Sequence, residues 1–167
     1  MKAHFTQLAE YNAWANERLY RVASKLSDEQ YRRDVGAYFK SLHLTLNHLL
    51  AADRIWMQRL TGEGEVPAAL NAIMCDDLPS LTAARRREDE RLLEFVHALD
   101  DAQFEEPRAY RMLSGITVQN ELHEILTHMF THHAHHRGQA HMILTVLGIA
   151  EPEPWDFLIM LMQRRPS

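Results

Sequence analysis

Residues 118–148 read VQNELHEILTHMFTHHAHHRGQAHMILTVLG, and this stretch decides the fold. At about 100° per residue, Leu122, Ile125, Met129, Ala140, Ile143 and Leu147 fall on one stripe, so a long amphipathic helix is expected from about Val118 to Leu147. Gly148 is a natural stop. Seven of the eleven histidines lie between His123 and His141, and the same geometry sorts them. His132 and His136 fall within the stripe, one turn apart. His133 falls there too, but its neighbour one turn on is Arg137. His128 and His135 turn toward the face of Glu121, Glu124 and Thr131, and His141 lies on the far side, so these three are expected in solvent.

Other helices follow from the same period. Phe5, Leu8, Ala15, Leu19, Val22 and Leu26 predict a helix from Lys2 to about Leu26, and Ser27 with Gln30 forms a capping-box pattern for a short second turn. Leu42, Leu46, Leu49, Trp56 and Leu60 predict a helix from about Ser41 to Leu60, closed by Gly62 and Gly64. From Glu63 to Pro79 the pattern is lost to a long surface connection. Pro79 and Ser80 open a helix to about Leu99, with Leu81, Glu88, Leu92, Phe95 and Leu99 inward. Residues 100–117 are irregular, with a small hairpin around Ser114 and Gly115. A short apolar helix from Trp155 to Gln163 closes the chain. The expected fold class is all-α: a four-helix bundle with long crossover connections and a short extra C-terminal helix.

The chain of 167 residues, 46% hydrophobic and 25% charged, has the size and balance of a single soluble domain over residues 1–167 that buries its own core. A metal is then functional rather than structural. The net charge of −5 argues against affinity drawn from phosphates, so nucleic acid is not an expected partner. Arg85, Arg86 and Arg87 run straight into Glu88, Asp89 and Glu90, and such mixed charge reads as a solvated helix face. Cys75 is the single cysteine and sits in an irregular stretch without a nearby His, which fits a reducing cytoplasm. No signal peptide or membrane-spanning segment is expected, and a homodimer is the commonest assembly for such a protein.

Two imidazoles at i and i+4 on one helix face can reach one ion together. A third ligand must come from another helix. On the second long helix His43 shares a polar face with Asn47, Arg54 and Gln58, whereas His48 lies beside Leu44, Ala51, Ala52 and Ile55 and reads as buried. His48, His132 and His136 thus form the candidate metal-binding set, and three neutral nitrogens with an open position are the ligands of a catalytic zinc-type site. Gln139 lies near enough to hydrogen-bond a ligand or substrate, or simply water. Asp53 falls on a buried stripe and needs a basic or hydrogen-bonding partner, for which Arg137 is one candidate; whether it orients a ligand or ties two helices stays open. Tyr11, Trp14 and Arg18 lie beside the core stripe of the first helix, as pocket, subunit contact or simple boundary.

Three segments carry a family resemblance: Tyr-Asn-Ala-Trp-Ala-Asn at 11–16, Leu-Asn-His-Leu-Leu-Ala-Ala-Asp-Arg at 46–54, and His-His-Ala-His-His-Arg-Gly-Gln at 132–139. Through them the chain resembles the DinB/YfiT-like superfamily of four-helix-bundle metalloproteins over nearly its whole length. The resemblance implies His48, His132 and His136 as ligands of one divalent ion. It also brings in relatives that use a low-molecular-weight thiol, such as bacillithiol or mycothiol transferases and a thiol-dependent maleylpyruvate isomerase. A thiol transferase acting on a small molecule is therefore the leading expectation, with a metal-dependent hydrolase or a non-catalytic metal-binding stress protein as alternatives. Zinc or nickel is the favoured ion, although three imidazoles also suit copper and iron.

Overall fold

Three helix starts carry a side chain, Ser27, Ser41 or Asp77, that satisfies an otherwise orphaned backbone donor. In the computed structural model, which describes residues 1–112, 114–149 and 152–164, α1 spans Lys2–Ala23 and α2 spans Asp28–Arg32 behind the Ser27–Gln30 capping box. Helix α3 spans Leu42–Thr61, where Ser41 accepts from the Leu44 N–H. It ends at Gly62, whose φ of 75° suits a residue without Cβ. Helix α4 spans Leu78–Ala98 and is capped by Asp77 on Ser80, one residue before the expected start at Pro79. Helix α5 spans Leu122–Val146 and α6 spans Phe157–Arg164.

Residues 118–121 are not the first turn of α5. They belong to β2 (Thr117–Glu121), which pairs antiparallel with β1 (Pro107–Arg111) in the register Pro107↔Glu121 to Arg111↔Thr117. Glu121 instead is the N-cap residue of α5, in a capping box with Glu124, whose side chain accepts from the Glu121 N–H at 3.1 Å. A Glu at both ends of the box hides a signal usually carried by Ser or Thr. At the other end of the chain α6 begins at Phe157, and Trp155, expected inside it, instead packs beside the His141 ring at 4.8 Å.

Helix α1 lies against α4 and α5, and α3 lies against the same two, so α1 faces α3 across the bundle. Two apolar cores fill it. One gathers Leu19, Leu42, Leu46, Leu49, Leu81, Ile143 and Leu144; the other gathers Phe5, Met57, Leu92, Val96, Leu122, Ile125 and Met129. Read along each helix, these sets fix the directions: α1 and α5 run one way, α3 and α4 the other. The segment 62–77 must therefore return the length of the bundle between α3 and α4. It is pinned on the way by Arg91 on the Glu63 carbonyl at 2.7 Å and by Asn47, whose side-chain oxygen accepts from the Met74 and Cys75 N–H groups at 2.7 and 3.0 Å. His43 donates to the Cys75 carbonyl at 3.2 Å. His43 and Asn47, expected on a polar face, are both buried because this returning segment covers them, and Cys75 does have a histidine beside it.

Between the two apolar cores lies a polar layer drawn from all four long helices. Asp53 on α3 meets Arg85 on α4 and His133 on α5, each at 2.7 Å. Arg85 also meets Asp89 at 3.0 Å, which accepts from Asn16 at 2.9 Å and Asn12 at 3.2 Å on α1. Arg137 on α5 donates to the Asn12 oxygen at 2.5 Å and lies over the Tyr11 ring. Asp53 is therefore partnered by Arg85 and His133, and Arg137 serves α1 instead. The run Arg85 to Glu90 is not wholly solvated either: Arg85, Glu88 and Asp89 are buried, and only Arg86, Arg87 and Glu90 face out. Two carboxylates against two guanidiniums balance the layer's formal charge, the condition under which ions are tolerated in a core.

Candidate metal centre

His132 and His136 stand one turn apart on α5, as their spacing requires. The antiparallel α3 brings His48 opposite them, and the three Nε2 atoms lie 3.1, 3.2 and 3.3 Å apart. They are the one group of this kind among the described residues. Imidazole nitrogens 2.0–2.1 Å from one ion at tetrahedral angles are separated by about 3.3 Å, so the spacing fits a divalent metal.

The outer nitrogens strengthen that fit. His48 donates from Nδ1 to the Leu70 carbonyl at 2.8 Å, and His136 donates from Nδ1 to the Gln139 side-chain oxygen at 2.7 Å. With protons fixed on Nδ1, both Nε2 atoms present bare lone pairs toward each other. His132 can supply at most one proton to that triangle, so the three nitrogens cannot satisfy one another, whereas a cation satisfies them all. Burial holds all three imidazoles in the neutral form. It pushes His132 down to about 3, helped by the nearby His136, and His136 down to about 4 despite the Gln139 bond; His48 is lowered for the same reason.

Gln139 thus bonds a ligand candidate directly, and its amide nitrogen meets the exposed His135 at 3.1 Å. Asp53 and Arg137 do not touch the three histidines; both belong to the polar layer, which reaches α5 through His133, beside His132 in sequence. His128 and His135 are exposed as expected, but neither is idle. The His128 ring lies 5.3 Å from Trp56 and 5.8 Å from His132. His141 is half-buried against Trp155. Arg18 lies over the Trp14 ring, and Tyr11 donates to the Trp155 carbonyl, so these α1 residues seat the C-terminal segment.

Two neighbours of the centre carry no sequence signature. Phe39 stacks on His48 at 4.1 Å and meets His136 edge-on at 5.5 Å. It is held there by a tight turn in which Lys40 takes a φ of 65°, uncommon for a residue with a Cβ. The Leu70 carbonyl is a backbone group, which no residue type announces.

Fold and centre together define a helix-bundle protein with a three-histidine cluster suited to a divalent metal. The chain belongs to the DinB family, whose profile matches residues 1–163. It is similar to the curated Protein DinB of Bacillus subtilis (strain 168), 25% identical over 164 residues that cover 93% of this chain and 92% of that protein.

Proposed function

We propose that this protein is a metal-dependent transferase that activates a low-molecular-weight thiol at His48, His132 and His136. The observation that carries the reading is the convergence of three neutral Nε2 donors, two of them with their opposite nitrogens already engaged. When bound by three imidazoles, a divalent ion such as zinc or nickel supplies an open position at which a thiol ionises near neutral pH. The chain's own residues do the rest. Gln139 and the Leu70 carbonyl fix the tautomer and direction of His136 and His48, the arrangement by which outer hydrogen bonds tune ligands. Phe39 closes one side of the centre, while the half-buried His132 leaves another side approachable.

The experiment is a turnover screen of metal-reconstituted protein against a panel of small thiols with a model electrophile. Thiol-dependent turnover that disappears in His136→Ala supports the reading. Turnover of an activated ester without any thiol points to an activated water and a hydrolase instead. Stoichiometric metal with neither activity leaves a metal-binding protein and removes the transferase.

A further inference from the structure

Beside the centre lies a cleft of about 320 Å³ lined by Trp56 and Arg59 of α3, Tyr110 and Met112 of the hairpin side, and Glu124, Ile125 and His128 of α5. Its volume is that of a small-ligand site. The Arg59 guanidinium lies 4.7 Å from the Trp56 ring centre and 5.2 Å from that of Tyr110. Among the described residues it meets no carboxylate within 4.0 Å. Burial lowers its pKa, the mark of a cation taken partly out of water without a counter-charge. The one acid of the cleft, Glu124, is already committed to the start of α5, accepting from Asn120 and from the Glu121 N–H at 3.1 Å each.

One wall of the cleft adjoins the three-histidine centre. Its His128 wall precedes His132 by one turn of α5, and the two rings are 5.8 Å apart. Along α3, His48 and Arg59 are separated by about three turns, or about 16 Å of rise, and an arginine leaning over the preceding turn shortens that span to roughly 10–15 Å. A planar guanidinium presented on two aromatic faces is well built to receive a carboxylate or similar anion in two parallel hydrogen bonds.

We infer that this cleft, with Arg59 as its cation, seats the anionic end of an elongated ligand whose sulfur end binds at the three-histidine centre. The inference rests on the proposed thiol reading. It names the ligand class: a carboxylate-bearing thiol about as long as an extended tripeptide, which spans about 10 Å. Cysteine and other short thiols reach the centre without reaching Arg59.

The test uses the full-length, cobalt-loaded protein and two series of probes, ω-mercaptocarboxylates of increasing chain length and the matching ω-mercaptoalcohols. Binding is read from the sulfur-to-cobalt charge-transfer band. For long members the carboxylate is expected to bind about tenfold or more tightly than the alcohol, the scale of a charge-assisted hydrogen bond. For 3-mercaptopropionate against 3-mercaptopropanol the difference vanishes. Arg59→Gln abolishes the long-chain preference while the band itself persists, and Arg59→Lys retains part of it. Equal affinities within the long pair in the unaltered protein, a comparison that needs no variant, overturn the inference, as does a preference that survives in Arg59→Gln. If no thiol of either series produces the band, the thiol reading itself fails and the inference falls with it.

Discussion

Asp53 and Arg85 face each other at 2.7 Å from neighbouring helices, with side chains only 3% and 2% exposed. They form the hinge of a layer that also contains His133, Asp89, Asn16, Asn12 and Arg137. Burial opposes ionisation of Asp53, but its attraction to and hydrogen bonds with His133 and Arg85 outweigh it and hold the carboxyl below its ordinary range. Asp89 is displaced the other way, because burial outweighs its attraction to Arg85.

Removing one partner of a buried pair leaves the other charged and unpartnered. Asp53→Ala is therefore expected to destabilise the fold by about 3–5 kcal/mol, read from urea midpoints. Arg86→Ala, one residue from Arg85 but on the exposed face, is expected to change stability by no more than about 0.5 kcal/mol. Similar losses in both variants would place the polar layer outside the cooperative core.

Metal binding provides a second comparison. Untagged protein reconstituted with zinc or nickel should hold about one ion per chain by elemental analysis, as one set of three imidazoles requires. His136→Ala should abolish stoichiometric binding, and His128→Ala should retain it. Gln139→Ala should weaken affinity by about 10- to 100-fold, because the outer hydrogen bond that directs His136 is gone. A Gln139→Ala protein with undiminished affinity would mean that this bond does not act on the centre.

The chelated protein should stay helical by circular dichroism, because the apolar cores on either side of the polar layer do not depend on the ion. Adding zinc or nickel should then raise the melting temperature through binding to the folded state alone. Loss of helical signal on chelation would make the ion a structural element.

In metal-free protein the lowered pKa values give stability a definite pH dependence. The unfolded chain takes up protons on free imidazoles as pH falls through about 6.5, while the folded chain holds His132 and His136 neutral down to about 3 and about 4. More protons on the unfolded state means stability falling on acidification across that window. Asp53, lowered in the folded state, adds a further loss below about pH 4, and the raised Asp89 partly offsets it. Urea midpoints between pH 7 and pH 4 should decline, and more shallowly in His132→Ala. A flat profile would contradict neutral burial of these imidazoles.

The bundle was legible because Leu42, Leu46, Leu49 and their counterparts repeat at helical spacing, and the histidine pair was legible because i and i+4 share a face. Arg85 and Asp89 were missed for a different reason. They sit in a run of three basic and three acidic residues, which hides that Leu81, Arg85, Glu88 and Leu92 follow steps of four, three and four along one stripe, with Asp89 one turn after Arg85; that period was the available signal. Val118 fitted a helical stripe as readily as a strand, and only its pairing with Tyr110 decides between them. Phe39 and the Leu70 carbonyl reach the centre through turn and loop geometry, which has no period to read.

The bond from His48 to the Leu70 carbonyl extends the centre's influence beyond its ligands. An imidazole coordinated through Nε2 keeps its proton on Nδ1 and cannot swing about its side-chain bonds, so in the loaded chain the donor toward Leu70 is locked in place; without the ion only that one hydrogen bond and the Phe39 stack hold the ring. The segment 62–77, much of it exposed, is thus clasped more firmly when the ion is in place. Amide hydrogen exchange and proteolytic nicking of that segment should slow on metal loading. A stretch of surface backbone that coordinates nothing would then display, to any protease that samples it, whether the centre is filled.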